Sequence, residues 1–435
     1  MHLSADEERR IAISRIVGPP TRVIDYVNTE EGLAADEERV KAEAAEPLPP
    51  GSTWVKVGSQ EMGGPELEPL LAHTTLINVD WLVDFADRKV MPEREGVVPA
   101  WQQLPSEAIV SLTQLRQSRY HLGLPVAVLS YGWAAKHHPD PTGEQLRRML
   151  PALRSMKNSK REVPTWGLVW DFMSLPQRGY TTKYDADHED RTDYQLKRFG
   201  KGLKHINVWY GHERVTTLVC DWPMPAGAQN PHPIDVRGWC VFERHLSSIV
   251  KNSDCYLQLS LLPADAESMD WYDGVVQACK GARRPPLAAD AFEQLMRDNL
   301  ESGAFKFTNG KDATNVCIPQ YAEAFTRLLG TSKELYYSRL GWGAAEGEQL
   351  AAALACAQRM DTAVAAEKLF IHGNTATQYG NKLGTAGVRA IGKVIEAGAL
   401  PRLKELYVDE NGADDETREW IKTVARGAGC SDVDA

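Results

Sequence analysis

Trp239 and Glu243 stand one helical turn apart in the segment Arg237-Gly238-Trp239-Cys240-Val241-Phe242-Glu243. Residues four apart share a helix face, so an aromatic plane and a carboxylate would border the same space. Such a carboxylate either stabilises an oxocarbenium-like centre, as in glycosidic cleavage, or pairs with a structural cation. Trp239 itself reads more readily as core than as a ligand platform. A second acid, Asp171, lies in the apolar run Leu168-Val169-Trp170-Asp171-Phe172. Aspartate is disfavoured inside a strand, so Asp171 reads as a functional acid or as the partner of a buried basic group, for which Arg237 is a candidate. Ser130 closes the run Val126 to Ser130, where its hydroxyl either caps a turn or touches a ribose or phosphate. Tyr131 and Trp133 follow it and offer a stacking face for an aromatic base.

Other chemistry is disfavoured. Cys240 would need a base beside it, and His245 lies five residues on, which is not the i+4 spacing, so Cys240 reads as a buried thiol. His137-His138-Pro139-Asp140 has no third ligand in view and reads as a surface loop rather than a metal site. No G-x-G-x-x-G or G-x-x-x-x-G-K-[ST] follows a strand, which argues against Rossmann and P-loop nucleotide binding.

Strands and helices must position these residues. Val126 to Ser130, Leu168 to Phe172, Val215 to Cys220 and Cys255 to Leu259 read as short buried strands. Thr142 to Met156, Asp193 to Tyr210 and Trp239 to Val250 read as the helices between and after them, and Asn78 to Phe85 and Ser106 to Ser118 as earlier helices. Strand and helix alternate, so a doubly wound parallel sheet is expected, with ligands at the C-terminal strand ends. Asp221 to Asp235 is a Pro-rich loop, and 263–330 reads as helical with a short strand at Phe305-Lys306-Phe307. Arg283-Arg284-Pro285-Pro286 reads as a linker.

The 435 residues suit two to three domains, with 43% hydrophobic and 25% charged residues. The net charge of −10 argues against a nucleic-acid partner, which selects a basic surface. Seven scattered cysteines suit reduced, buried thiols rather than a disulfide framework. The N-terminus lacks a signal-peptide core and no apolar run reaches the ~18 residues of a membrane span, so a cytoplasmic protein with no membrane contact is expected. The first fifty residues are charged and end in Pro47-Leu48-Pro49-Pro50-Gly51, which suggests a partly ordered arm.

Three C-terminal segments align: Lys333-Glu334-Leu335-Tyr336-Tyr337, Glu367-Lys368-Leu369-Phe370-Ile371 and Lys404-Glu405-Leu406-Tyr407-Val408. The first two lead to Leu340-Gly341 and Leu383-Gly384, and Asn374 and Asn411 follow the later two. The spacing suits strand–helix repeats, which bury their faces only by stacking on neighbours. This pattern resembles the ribonuclease-inhibitor type of leucine-rich repeat, and such arrays usually bind proteins.

The central motifs carry a second resemblance. Val128-Leu129-Ser130-Tyr131-Gly132-Trp133 is similar to the L-S-Y-x-W strand end of heterokaryon-incompatibility (HET) domains. Asp171 and Gln177 keep the register of their W-I-D-x-x-C-I-N-Q segment, and Arg237 to Glu243 matches R-G-W-x-x-x-E. The last segment also resembles the S-x-W-C-x-x-E-L of plant Toll/interleukin-1 receptor (TIR) domains, whose glutamate cleaves NAD. The resemblance implies a TIR-like, flavodoxin-like α/β topology. It puts Glu243, Asp171 and Ser130 at catalytic positions and Tyr131, Trp133, Gln177, Arg237 and Trp239 at cofactor-binding positions. The expected organisation is an arm (1–50), a helical region (51–123), the TIR/HET-like domain (124–262), a helical connector (263–330) and leucine-rich repeats (331–430). The implied function is signalling through bound proteins, with self-association through the TIR-like domain. The alternative is an NAD glycohydrolase with NAD as substrate, no resident cofactor and no metal. Nicotinamide leaves as a neutral group from a cationic substrate, so one glutamate suffices without a general acid.

Overall fold

Consecutive apolar residues build the first sheet, because such strands must be covered on both faces. The computed structural model describes residues 29–87, 98–159, 163–181, 188–281, 283–373 and 380–435. The strands are β1 (Ile77–Asn78), β2 (Val126–Ser130), β3 (Gly167–Val169), β4 (Thr216–Val219) and β5 (Tyr256–Gln258), in the order β1-β3-β2-β4-β5. Every residue of β2, β3 and β4 is buried. β2 runs parallel to β3 and to β4, but β1 is antiparallel to β3, pairing Ile77 with Leu168. The sheet is therefore mixed rather than wholly parallel. A two-residue edge strand needs no helical crossover, and an antiparallel edge on a parallel sheet is a common compromise.

The chain divides into two compact units. One comprises Met1–Trp209, Arg214–Pro233 and Leu257–Cys279; the other comprises Tyr210–Glu213, Ile234–Tyr256 and Lys280–Ala435.

In the first unit, helix α1 (Thr29–Ala45) occupies the described part of the expected arm and buries Leu33 and Val40. Its Asp36 accepts a hydrogen bond from Tyr194 Oη at 2.6 Å and forms an ion pair with the buried Arg198. Residues 1–28 of that arm lie outside the described residues. Helix α2 (Val79–Asp87) starts where Asn78 Oδ1 accepts from the Asp80 amide at 2.9 Å. Helix α3 (Glu144–Asn158) joins α2 in one apolar core with Ala127, Leu129 and Leu168 of the sheet. The expected single helix at Ser106 to Ser118 is instead a 3-10 turn (Ser106–Ala108) and a short helix (Leu112–Leu115). Ser111 restarts the chain there, its hydroxyl accepting from the Gln114 amide at 3.2 Å.

Two further expectations are corrected. The second strand stops at Val169, and Asp171–Ser174 forms one helical turn, α4. Ser174 drives this exit: its hydroxyl accepts from the Trp170 amide at 2.9 Å, while its own amide donates to the Trp170 carbonyl at 2.7 Å. The helix expected at Asp193 to Tyr210 divides into α5 (Asp193–Lys204) and a separate turn, Ile206–Gly211, because His205 leaves helical geometry (φ −108°, ψ 12°).

The second unit contains α6 (Gly238–Leu246), α7 (Ala289–Glu301) and α8 (Ile318–Thr331). Phe292 of α7 stacks on Tyr321 of α8 with ring centroids 3.9 Å apart. Strands β6 (Glu334–Tyr336), β7 (Lys368–Phe370), β8 (Glu405–Tyr407) and β9 (Asp432–Asp434) then form a wholly parallel sheet in sequential order. Helices α9 (Ala344–Arg359), α10 (Gly384–Glu396) and α11 (Asp415–Gly427) connect them. Leu335, Leu369, Leu406 and Val433 stand in register, and the three leucines are fully buried. A Cβ on Gly347 would meet the Gly387 backbone at 2.9 Å, so glycine lets α9 and α10 approach closely.

Arg283 does not lie in a linker. It is 1% exposed, donates to the Ser248 carbonyl at 2.7 Å and the Tyr336 carbonyl at 3.0 Å, and lies over the Tyr337 ring. Burial pushes its guanidinium down to about 10. The strand expected at Phe305 to Phe307 is a single parallel bridge between Lys306 and Arg237. All seven cysteines are buried free thiols. Among the described residues, no helix is long and apolar enough to cross a membrane.

Candidate functional site

The sequence-derived site residues divide between the units: Ser130, Tyr131, Trp133, Asp171 and Gln177 belong to the first, and Arg237, Trp239 and Glu243 to the second.

In the first unit, β2 ends at Ser130 and α4 begins at Asp171, so the loops at two adjacent strand ends meet. Tyr131 Oη donates to Asp171 Oδ1 at 2.5 Å, and Trp133 Nε1 donates to Oδ2 at 3.2 Å. The Phe172 amide also donates to Oδ1, at 2.6 Å. Gln177 Nε2 closes the turn by donating to the carbonyls of Asp171 at 3.1 Å and Leu175 at 2.8 Å. Burial pushes the Asp171 carboxyl above the usual carboxylate range, and these neutral donors pull it back only in part. Among the described residues its hydrogen bonds come from neutral donors, so a neutral cage stands where a basic partner was expected. Trp133 and Tyr180 both pack edge-on against Phe172, at 5.6 and 5.3 Å. Ser130 is fully enclosed, at 0% exposure. His138 is buried rather than at the surface: the Asp140 amide donates to Nδ1 at 3.0 Å, leaving Nε2 to donate to the Val98 carbonyl at 3.0 Å.

In the second unit, Arg237 precedes α6 and is buried, which lowers its pKa. Gly238 follows because a Cβ there would sit 1.9 Å from the Phe307 ring, while its amide donates to the Lys306 carbonyl at 3.0 Å. That is the physical content of the Arg-Gly-Trp segment. Trp239 is half-buried and donates from Nε1 to Asp312 Oδ2 at 3.2 Å. Glu243, half-buried one turn on, lies close enough to raise the pKa of the Cys317 thiol together with burial and Asp312. Cys240 is buried.

A third group of residues escaped the sequence reading. Strand side chains alternate between faces, so burying the register leucines turns their neighbours outward. Tyr336, Phe370 and Tyr407 consequently form a ladder across β6, β7 and β8. Their rings stack at 4.4 Å and 4.8 Å, within 3° and 6° of parallel, and each is half-buried. The adjacent row is Glu334, Lys368, Glu405 and Asp432. Lys368 lies 3.1 Å from Glu405 and 3.9 Å from Glu334. Tyr407 donates to Glu405 at 3.1 Å, and burial with Glu405 and Asp432 pushes its phenol up to about 12. Burial and the neighbouring Asp434 raise the pKa of Asp409. The signal was present in the aligned Leu-Tyr, Leu-Phe and Leu-Tyr pairs, which alternation assigns to opposite faces.

Asparagines fix the turns behind this ladder. Asn381 Oδ1 accepts from the Leu340 and Trp342 amides, both at 3.1 Å, and its Nδ2 donates to the Tyr337 carbonyl at 2.7 Å. Asn411 accepts from the Leu383 amide at 3.2 Å and donates to the Ile371 and Val408 carbonyls, both at 2.9 Å. Asn374 lies outside the described residues.

Among the described residues, no cluster of three or more His, Cys, Asp or Glu side chains is placed to hold a metal ion. Comparison with protein-family models and with curated proteins finds no match to this chain.

Proposed function

We propose that this chain is a cytoplasmic signalling or scaffold protein whose C-terminal strand face binds a protein partner. The stacked ladder of Tyr336, Phe370 and Tyr407 carries this reading. Planar aromatics give large contact area at little entropic cost and recur at binding hot spots. Around them stand the carboxylates of Glu334, Glu405, Asp409, Asp432 and Asp434, with the ammonium of Lys368 among them. The partner that fits is a basic segment with apolar or aromatic anchors. The register leucines, the asparagine turns and the glycine-mediated helix contacts support reading the array as ribonuclease-inhibitor-type leucine-rich repeats. The β3-β2-β4-β5 strand order supports a TIR-like, flavodoxin-like sheet. On this reading the sheet domain contributes self-association.

The test is a binding isotherm with a basic, Trp-containing peptide. Replacing Tyr336, Phe370 and Tyr407 together by alanine should weaken binding at least about tenfold. Equal affinity for both proteins would remove the reading.

NAD cleavage is the second reading, favoured by the shared helix face of Trp239 and the half-buried Glu243. Incubation of concentrated protein with NAD should then release nicotinamide, and Glu243→Ala should abolish the release. No turnover at high concentration leaves the binding role alone.

A further inference from the structure

The second unit has a partly open pocket of about 220 Å³ beside α6. Val241, Arg244 and His245, which share one face of α6, line one wall with Ser248 just past the helix end. Trp239 and Glu243 occupy the opposite face of the same helix, so this cavity is distinct from the space those two residues border. Asp235, Arg284, Tyr256 and Asn299 complete its polar lining, with Leu295 among the apolar walls.

Three observations point to a ligand. Arg244 is held in place by an ion pair with Asp235 and by Tyr256. Arg284 makes no hydrogen bond or ion pair among the described residues, so the lining carries two guanidiniums against one carboxylate in a chain of net charge −10. His245 is 5% exposed and its Nδ1 has no hydrogen-bond partner. A buried polar atom left unpaired is costly, and a ligand group that pairs with it removes that cost. Burial and the two arginines together hold this imidazole neutral, at about 3, which leaves it able to hydrogen-bond a neutral group. Its ring is fixed against Phe292 at 5.5 Å.

We infer that this cavity binds a compact organic oxyanion, with the Arg284 and Arg244 guanidiniums taking the anionic group and the His245 imidazole bonding a hydroxyl on its short body. Guanidinium forks match phosphate and carboxylate oxygens. The volume lies below the ~300–1,000 Å³ of drug-sized pockets, so the ligand is limited to a few carbons. The inference does not depend on the partner-binding role proposed above.

Calorimetric titration of the full chain with glycerol phosphate, with glycerate and with inorganic phosphate tests it. Saturable binding of at least one is expected, and the tighter of glycerol phosphate and glycerate identifies the anionic group. Arg284→Ala, at an exposed residue, should weaken binding at least tenfold, and Arg284→Lys should restore part of it. His245→Phe keeps the ring volume and should weaken glycerol phosphate or glycerate while leaving inorganic phosphate unchanged. Absence of saturable binding for all three probes overturns the inference, as does unchanged affinity in a folded Arg284→Ala protein.

Discussion

Asp171 shows how a neutral cage can hold a buried acid. Its carboxyl takes hydrogen bonds from Tyr131, Trp133 and the Phe172 amide. Asp171→Ala would leave the Tyr131 hydroxyl and the Trp133 indole without their acceptor, at about 2–4 kcal/mol of stability, measurable by urea unfolding. The pH dependence has a definite sign. The folded pKa lies above the ordinary 3.8, so between the two values the folded chain holds a proton that the unfolded chain has shed. This group's contribution is greatest below 3.8 and is lost as pH rises through the folded value. In Asp171→Asn that component should vanish; an unchanged pH slope would contradict the account. The meeting of Tyr131, Trp133, Asp171 and Gln177 was legible from motifs at two strand ends. The helical turn at Asp171 was not, because a serine four residues after Trp170 ends the strand by a local hydrogen bond that no periodicity records.

At the scale of elements, buried asparagines replace missing backbone partners in the C-terminal turns. Asn381→Ala would orphan the Leu340 and Trp342 amides and the Tyr337 carbonyl, costing about 3 kcal/mol. Hydrogen exchange should then show lost protection in β6 and β7 while the first unit keeps its own. Uniform exchange change across both units would count against this local role. Gly347→Val should loosen the contact of α9 with α10, since its Cβ would collide with the Gly387 backbone. Strands of the second sheet were readable because leucine recurs in register. Its last strand, Asp432–Asp434, was not, because two of its three residues are acidic and only Val433 carries the pattern. The edge strand Ile77–Asn78 was equally invisible: two residues contain no period.

At the scale of the whole molecule, the crossing of the chain between its two units was the least legible feature. The segments Tyr210–Glu213 and Ile234–Tyr256 leave the strand–helix succession that surrounds them and join the C-terminal unit. What anchors the later segment is written in single residues: Gly238 against Phe307, and Arg283 against the Ser248 carbonyl. Charge was the readable property at this scale. The acidic residues beside the aromatic ladder should make partner binding weaken as salt rises from 50 to 500 mM, because exposed charges are screened beyond about a Debye length. Titration at the two salt concentrations checks this.

The most direct measurement is a charge exchange on the strand face. Fluorescence anisotropy would follow one peptide of alternating Arg and Trp, and a second in which Glu replaces Arg. The chain should prefer the basic peptide, and a variant carrying Glu405→Lys and Asp432→Lys should lose that preference or reverse it. Equal binding of both peptides by the unaltered chain, or an unchanged preference in a folded variant, would contradict the assignment of this face as the partner site.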